Sequence, residues 1–309
     1  PFPSDILQMT AVTVPMLLSE NKALAPLDAL RAIAITDGIP ELVRLFDFQK
    51  SFTENLLSLF TQNSTYFRYA ESELHRNFRT PETYNILLYG MATGHNRISQ
   101  LAEFSGFPQN KCDKYLKALD KAGLLETVQR KDITDHIRTH YYPKGGYWKT
   151  WFRYVFPSQG CCLKPLEWDS LQQLANDIDR SIVAEYFKTV CWKWMKKNYG
   201  DYYWDEILGF DDPKQQNVTV NGVHFDYVQE TKDHTIYVKI WDDIGEGFPK
   251  AEFQRIEAAT TAVRPFYENI YFLFSAGKAC NYVEQLRNLD TVAVVNLKSL
   301  LGQKNKELF

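Results

Sequence analysis

Four lysines carry the most legible chemistry in the sequence. Lys111, Lys114, Lys117 and Lys121 fall in the segment Gln109-Asn110-Lys111-Cys112-Asp113-Lys114-Tyr115-Leu116-Lys117-Ala118-Leu119-Asp120-Lys121-Ala122-Gly123. At 100° per residue, Cys112, Tyr115, Leu116, Leu119 and Ala122 lie on one side of a helix. Lys114, Lys117 and Lys121 cluster on the other, with Lys111 flanking. Ammonium groups on an exposed helix face suit phosphate oxygens, contacts that position a protein on nucleic acid without reading its sequence. The same pattern equally covers an ordinary solvated face. Apart from Gln109 and Asn110, no side chain in the segment is an evident reader of base edges.

Other chemistries have less support. The sequence holds no G-x-x-x-x-G-K-[ST], so nothing in it can cradle ATP phosphates, and no G-x-S-x-G nucleophile elbow. His75, His95, His136, His140, His224 and His234 form no H-x-x-x-H or H-E-x-x-H on one helix; His136 and His140 are four apart in a segment that reads as strand and turn. Five cysteines, without a C-x-x-C, indicate neither a disulfide framework nor a zinc site. The vicinal Cys161-Cys162 reads as a bystander pair in a loop.

The lysines need a scaffold, and residues 80–147 supply a recognisable order. Thr80-Pro81-Glu82 opens a helix through Ile86, Leu87, Leu88 and Met91. Arg97 to Ser105 is a short second helix stopped by Gly106, and Pro108 begins the lysine helix. Leu124 to Val128 then alternates as a strand, and Ile137 to Tyr142 returns antiparallel. Helix, short helix, turn, helix and two-stranded wing is the order of a winged helix-turn-helix, whose third helix enters the DNA major groove. Winged helices also serve as protein–protein modules. Residues 97–149 hold 10 Lys+Arg against 6 Asp+Glu, a local excess of +4 in a chain of −3.

The remaining sequence frames this element. A length of 309 residues is enough for two or three domains, and 45% hydrophobic with 24% charged residues is globular. No apolar run approaches the roughly 18–20 residues of a membrane helix, so no membrane partner is expected. The opening Pro1-Phe2-Pro3-Ser4-Asp5 lacks Met and the features of a signal peptide, and reads as the middle of something longer. A reducing, cytoplasmic setting is expected. Leu27 to Phe60 reads as a small helical bundle, with a break at Asp37-Gly38, a new start at Ile39-Pro40 and a cap at Ser51 or Thr53. Tyr147 to Pro157, Tyr-Trp-Lys-Thr-Trp-Phe-Arg-Tyr-Val-Phe-Pro, is aromatic enough to pack one domain against the next. A long helix is expected from Leu171 to Met195. After it come a hairpin at Asn221-Gly222, strands at 223–228 and 235–241, a helix at 251–263, a buried strand at 269–275, a helix at 282–289 and a strand at 291–297. That order indicates a mixed sheet with helices.

Asp37-Gly38-Ile39-Pro40, the Trp151-Phe152-Arg153-Tyr154-Val155-Phe156-Pro157 run and Tyr271-Phe272-Leu273-Phe274-Ser275 resemble the C-terminal part of archaeal-type ATPases of the STAND class of P-loop NTPases. The tryptophan-led run is the most specific of the three. The resemblance covers nearly all of the chain and implies an α+β multidomain fold. Residues 1–75 would be a helical lid remnant, 76–157 a winged helix-turn-helix, and 158–309 an α/β domain of PD-(D/E)xK restriction-endonuclease type. It also implies ATP and Mg²⁺ bound by an ATPase core that is absent from this chain. A PD-(D/E)xK nuclease holds a divalent metal with two carboxylates beside a lysine. The resemblance places Asp226 at the first acid and Lys239 at the lysine, but Tyr237 at the second acid and Phe187-Lys188 where a Phe-Glu pair belongs. The site therefore reads as degenerate, without a metal, unless Glu206, Glu230 or Asp242 supplies the missing acid. The expected role is non-catalytic, with Lys111, Lys114, Lys117 and Lys121 contacting DNA, or the same surface meeting a protein partner. The rivals are a metal-dependent nuclease centred on Asp226 and Lys239, and a pure protein-interaction module.

Overall fold

The structure, a computed structural model, describes residues 11–61, 63–131, 137–158, 168–198, 214–264 and 267–302. Glu206, His136 and the Cys161-Cys162 pair lie outside these residues. The fold is α+β, and the chain divides at Ile178/Asp179 into two compact units.

The first unit begins with five helices: α1 (Val14–Glu20), α2 (Pro26–Thr36), α3 (Pro40–Val43), α4 (Phe52–Leu59) and α5 (Thr65–Asn77). The break expected at Asp37-Gly38 is real. Asp37 caps α2 in the left-handed region at φ 52°, and Gly38 follows at φ 68°. Ser51 caps α4 in a reciprocal capping box with Glu54, satisfying two backbone N–H groups that the helix itself cannot. The helix expected from Ile39 through Phe46 is shorter than its apolar spacing suggests, because only Pro40–Val43 is α-helical.

Three helices and a two-stranded antiparallel sheet follow: α6 (Pro81–Ala92), α7 (Ile98–Ser105), α8 (Gln109–Lys121), β1 (Leu125–Lys131) and β2 (Ile137–Pro143). This is the element order anticipated from the sequence. Gly106 turns the chain between α7 and α8 at φ 71°, a conformation that favours glycine. Cys112, Leu116 and Leu119 are the buried stripe of α8, and Leu101 is the buried residue of α7.

The aromatic run then folds as helix α9 (Gly145–Thr150) continuing into a π-helical turn at Trp151–Val155. Its packing partners are the early helices. The Tyr147 hydroxyl donates to the Tyr66 carbonyl at 2.8 Å, the Tyr66 hydroxyl to the Ile35 carbonyl at 2.9 Å, and the Trp151 indole N–H to the Phe67 carbonyl at 3.2 Å. Burying three large aromatic residues this way releases apolar surface from water and still satisfies each polar tip. Helix α10 (Trp168–Ile178) completes the unit. Its Gln172 accepts a hydrogen bond from Thr53 of α4, and Asp177 accepts one from Tyr154 at 2.6 Å.

The long helix expected from Leu171 to Met195 is interrupted. A π-helical turn at Asp179–Val183 separates α10 from α11 (Ala184–Asn198), and the two units divide at its start. In the second unit β3 (Gln216–Val220), β4 (Val223–Glu230), β5 (His234–Ile240), β6 (Glu268–Ser275) and β7 (Val292–Asn296) form one sheet in sequential order. The first three strands are antiparallel and the last three parallel, the crossovers carrying α12 (Lys250–Thr260) and α13 (Asn281–Gln285). The short α14 (Leu297–Leu300) follows β7. Asn221 at φ 46° and Gly222 at φ 79° make the tight β3–β4 turn, as Asn-Gly should. Val223, Phe225, Tyr237, Tyr271 and Leu273 pack with Phe253 and Ile256 of α12 on one face. Phe274 meets Trp194, and Tyr227 meets Trp192, of α11 on the other.

The link between α2 and α9 is open to test. The Asp37 carboxylate accepts the Gly146 N–H at 2.7 Å and the Tyr147 N–H at 3.1 Å, acting as a cap supplied from far away in sequence. Gly145, at φ 80°, has no room for a side chain: a Cβ would stand 2.3 Å from an Asp37 oxygen. Asp37→Ala should lower the stability of the first unit by about 1 kcal/mol, the usual cost of a lost N-cap, and Asp37→Asn by less. Gly145→Ala should cost more. The double variant should cost less than the sum of the two single variants, because removing the carboxylate removes the clash; additive thermal-denaturation shifts would refute this packing.

Candidate functional site

Two places could bear function, one in each unit. In the first, Lys111, Lys114, Lys117 and Lys121 are all exposed on α8, opposite the buried Cys112, Leu116 and Leu119. They are not four equivalent charges. Lys117 forms an ion pair with Asp113 one turn back at 2.6 Å, and this bond holds its ammonium above the usual lysine value. The Lys111 ammonium sits over the Phe107 ring, 4.2 Å from its centroid, with Tyr115 beyond it at 5.7 Å. A cation so placed is attracted by the ring face yet stays at the surface. Lys114 and Lys121 project from the same exposed face.

In the second unit the structure separates the two residues that the nuclease resemblance pairs. Asp226 on β4 is buried, its side chain 7% exposed, and forms an ion pair with Lys188 of α11. Its other oxygen accepts the Ile240 backbone N–H at 2.7 Å. Beyond the Tyr227–Val238 pair of the β4–β5 ladder, a side chain thus takes a strand N–H. Lys239 turns instead toward α12. Its ammonium donates to the His224 carbonyl at 2.8 Å and lies 3.8 Å from Glu252, a buried acid that also holds Arg255. Asp226 engages a helix on one face of the sheet, Lys239 a helix on the other.

Tyr237, at the second acid position, is buried against Phe225, with ring centroids 5.0 Å apart, and stacked on Tyr271 at 5.7 Å. Burial pushes its phenol up to about 12, so it stays neutral and is a poor ligand for Mg²⁺. His224, near Asp226 and Lys239, is held below the ordinary imidazole value mainly by burial; Asp226 opposes this and Lys239 and Lys188 reinforce it. Among the described residues no group of three or more His, Cys, Asp or Glu side chains gathers as a metal site. The residues at Asp226 do not fit a divalent cation, since an ammonium already occupies the place beside the carboxylate. Of the candidate replacement acids, Glu230 lies toward Arg264 at 3.9 Å, and Asp242 acts on His224 only as a distant charge.

Sequence reasoning noted Lys188 as a departure but not that it would close the site, and it passed over Glu252. Glu252 has a faint signal, an acid in the first turn of α12 at a position whose neighbours Phe253 and Ile256 are core residues.

No protein-family model matches the chain. An uncharacterized protein of Methanocaldococcus jannaschii, MJECL04, is 28% identical over 129 residues, which are 40% of this chain and 28% of that protein. The chain therefore spans well under a third of the length of that relative.

The ion pair at Asp226 makes a stability prediction. Removing Lys188 leaves a buried carboxylate without its counter-charge, whereas Asp226→Asn keeps an acceptor for the Ile240 N–H. Lys188→Met should destabilise the second unit by about 3 kcal/mol, the low end for a broken buried pair because Lys188 is partly solvated. The Lys188→Met/Asp226→Asn double variant should recover much of that loss. A double variant no more stable in chemical denaturation than Lys188→Met alone would show that the pair is not what holds Asp226.

Proposed function

We propose that this chain is a non-catalytic binding region: the three-helix-and-wing element engages DNA through α8, and the second unit is a nuclease-shaped scaffold without nuclease chemistry. The observation that carries the reading is the division of α8, with all four lysines exposed opposite a buried stripe. The element order around it fits a winged helix-turn-helix, a fold that presents this helix to a major groove. The closing of Asp226 by Lys188 supports the non-catalytic half of the proposal.

In this reading the chain is the C-terminal region of a STAND-class ATPase, and ATP and Mg²⁺ belong to the core that such a protein would carry elsewhere. The placement is a reducing compartment, the cytoplasm, which suits the free thiols Cys112, Cys191 and Cys280. Among the described residues no helix is long and apolar enough to cross a membrane. Phosphate contacts dominate the affinity, so recognition is of DNA as a polyanion, with any sequence preference left to Gln109 and Asn110.

Duplex binding followed by fluorescence anisotropy across a salt series tests the reading. The wild-type chain should bind more weakly as salt rises. Lys114→Glu/Lys117→Glu/Lys121→Glu should lose most of the affinity and flatten the log–log salt slope by about 3, close to one unit per phosphate contact. Absence of binding at low salt would overturn the DNA proposal in favour of a protein partner. Mg²⁺-dependent cleavage abolished by Asp226→Ala would overturn the non-catalytic half.

A further inference from the structure

The sheet of the second unit has two edges, and only one of them is guarded. Its outer strands are β3 and β7. An edge strand attracts further strands unless charge, proline or a kink keeps them away. In β3 the exposed positions are the polar Asn217 and Thr219, and Asn217 leaves the extended conformation at φ 54°. By contrast, β7 reads Val292-Ala293-Val294-Val295-Asn296, with no charged residue, no proline and no left-handed residue. The Tyr271 N–H donates to the Thr291 carbonyl at 2.8 Å, and the parallel register runs on from there. In a parallel pair alternate residues bond the neighbouring strand. Ala293 and Val295 therefore serve β6, while Val292, Val294 and Asn296 direct their backbone groups to the outer edge. The Val292 N–H is turned back to the Leu289 carbonyl at 3.2 Å. Leu289, at the entry to the strand, is 51% exposed.

We propose that β7 is a homodimer interface, where a second copy of this chain adds its own β7 antiparallel across a two-fold axis to make one ten-stranded sheet. A strand that meets itself must avoid placing like charges opposite each other, and this one is neutral. With Val294 on the axis, the two Val294 residues exchange both N–H···O=C bonds, and each Asn296 N–H meets the Val292 carbonyl of the second copy. Asp290 and Lys298 each lie four residues from Val294, on opposite sides of it. Antiparallel pairing about Val294 thus brings the exposed Asp290 of each copy to the end where the other carries the exposed Lys298. Two opposite-charge pairs then mark a single register, and a two-residue slip would part them by about 7 Å. Such a contact is isologous, each patch meeting its own copy, so it closes at two chains. It does not depend on what α8 binds.

Sedimentation of the full chain across a concentration series tests this, with backbone amide exchange followed in parallel by mass spectrometry. The wild type should pass from one to two chain masses as concentration rises, and exchange at residues 291–297 should slow in step. Asp290→Lys and Lys298→Glu each alter an exposed side chain, and thermal melts check that both variants stay folded. Each variant alone sets like charges together twice across the axis and should weaken the dimer by about fivefold or more. An equimolar mixture of the two should form heterodimers at wild-type strength or better, because every facing pair is then opposite in sign. A chain that stays monomeric at all concentrations overturns the proposal and leaves the β7 edge to a strand of another protein. A dimer indifferent to both charge variants, or one that leaves exchange at 291–297 unchanged, overturns β7 as its interface.

Discussion

Three aromatic polar tips hold the first unit together. Tyr66, Tyr147 and Trp151 are fully buried, and each must place a hydroxyl or indole N–H against an acceptor or lose a hydrogen bond it had in water. All three find backbone carbonyls. Ile35 is in the last turn of α2, where carbonyls have no helical N–H of their own, so the Tyr66 hydroxyl satisfies a group that would otherwise stay unmet. Asp37 performs the converse service two residues later, accepting N–H groups at the opening of α9. The end of α2 is thus completed by a residue 31 positions away, and the start of α9 by one about 110 positions away. The three helices and the wing lie between those anchors in sequence, which ties the lysine helix to a rigid frame.

A similar economy governs Asp226 and Lys239, the two residues that the nuclease resemblance pairs. A carboxylate buried in a sheet needs counter-charge and donors. A catalytic site leaves part of that need to a metal ion; here Lys188 and the Ile240 N–H meet it entirely. Lys239, which would steady developing charge in a nuclease, is spent on a strand carbonyl and Glu252. Tyr237, to which the resemblance gives the second acid position, packs among Phe225 and Tyr271 in the core. Each of these side chains is committed to an internal contact of the second unit.

What the sequence discloses is what depends on neighbours within a turn or two. The buried stripe of α8, a helix cap at Ser51 or Thr53, the Asn221-Gly222 turn and the mixed-sheet order are local, and periodicity or turn chemistry exposes them. Helices α1 and α5 escaped notice: α1 is a single short segment, and the apolar positions of α5 are scattered among charged residues. The π-helical turns at 151–155 and 179–183 leave no mark in a 3.6-residue period. The partners of Asp226 and Lys239 were hidden for a different reason. Lys188 is 38 residues from Asp226, on a helix whose orientation only the packed sheet decides.

Charge distribution bears on how such a chain would meet a polyanion. Residues 97–149 carry +4 in a chain of −3, so the remainder carries −7. Screening confines each exposed charge to about 8 Å at physiological salt, so a phosphate near α8 responds to the local cations and not to the chain's net sign. In the DNA-binding proposal, those cations displace counter-ions condensed on the duplex, and their release is what makes the affinity depend on salt. A uniformly basic chain of this size would bind nucleic acid in many orientations. In that proposal, positive charge concentrated on one small element, tied to the early helices through Asp37, Tyr66 and Tyr147, favours the orientation in which α8 faces the duplex.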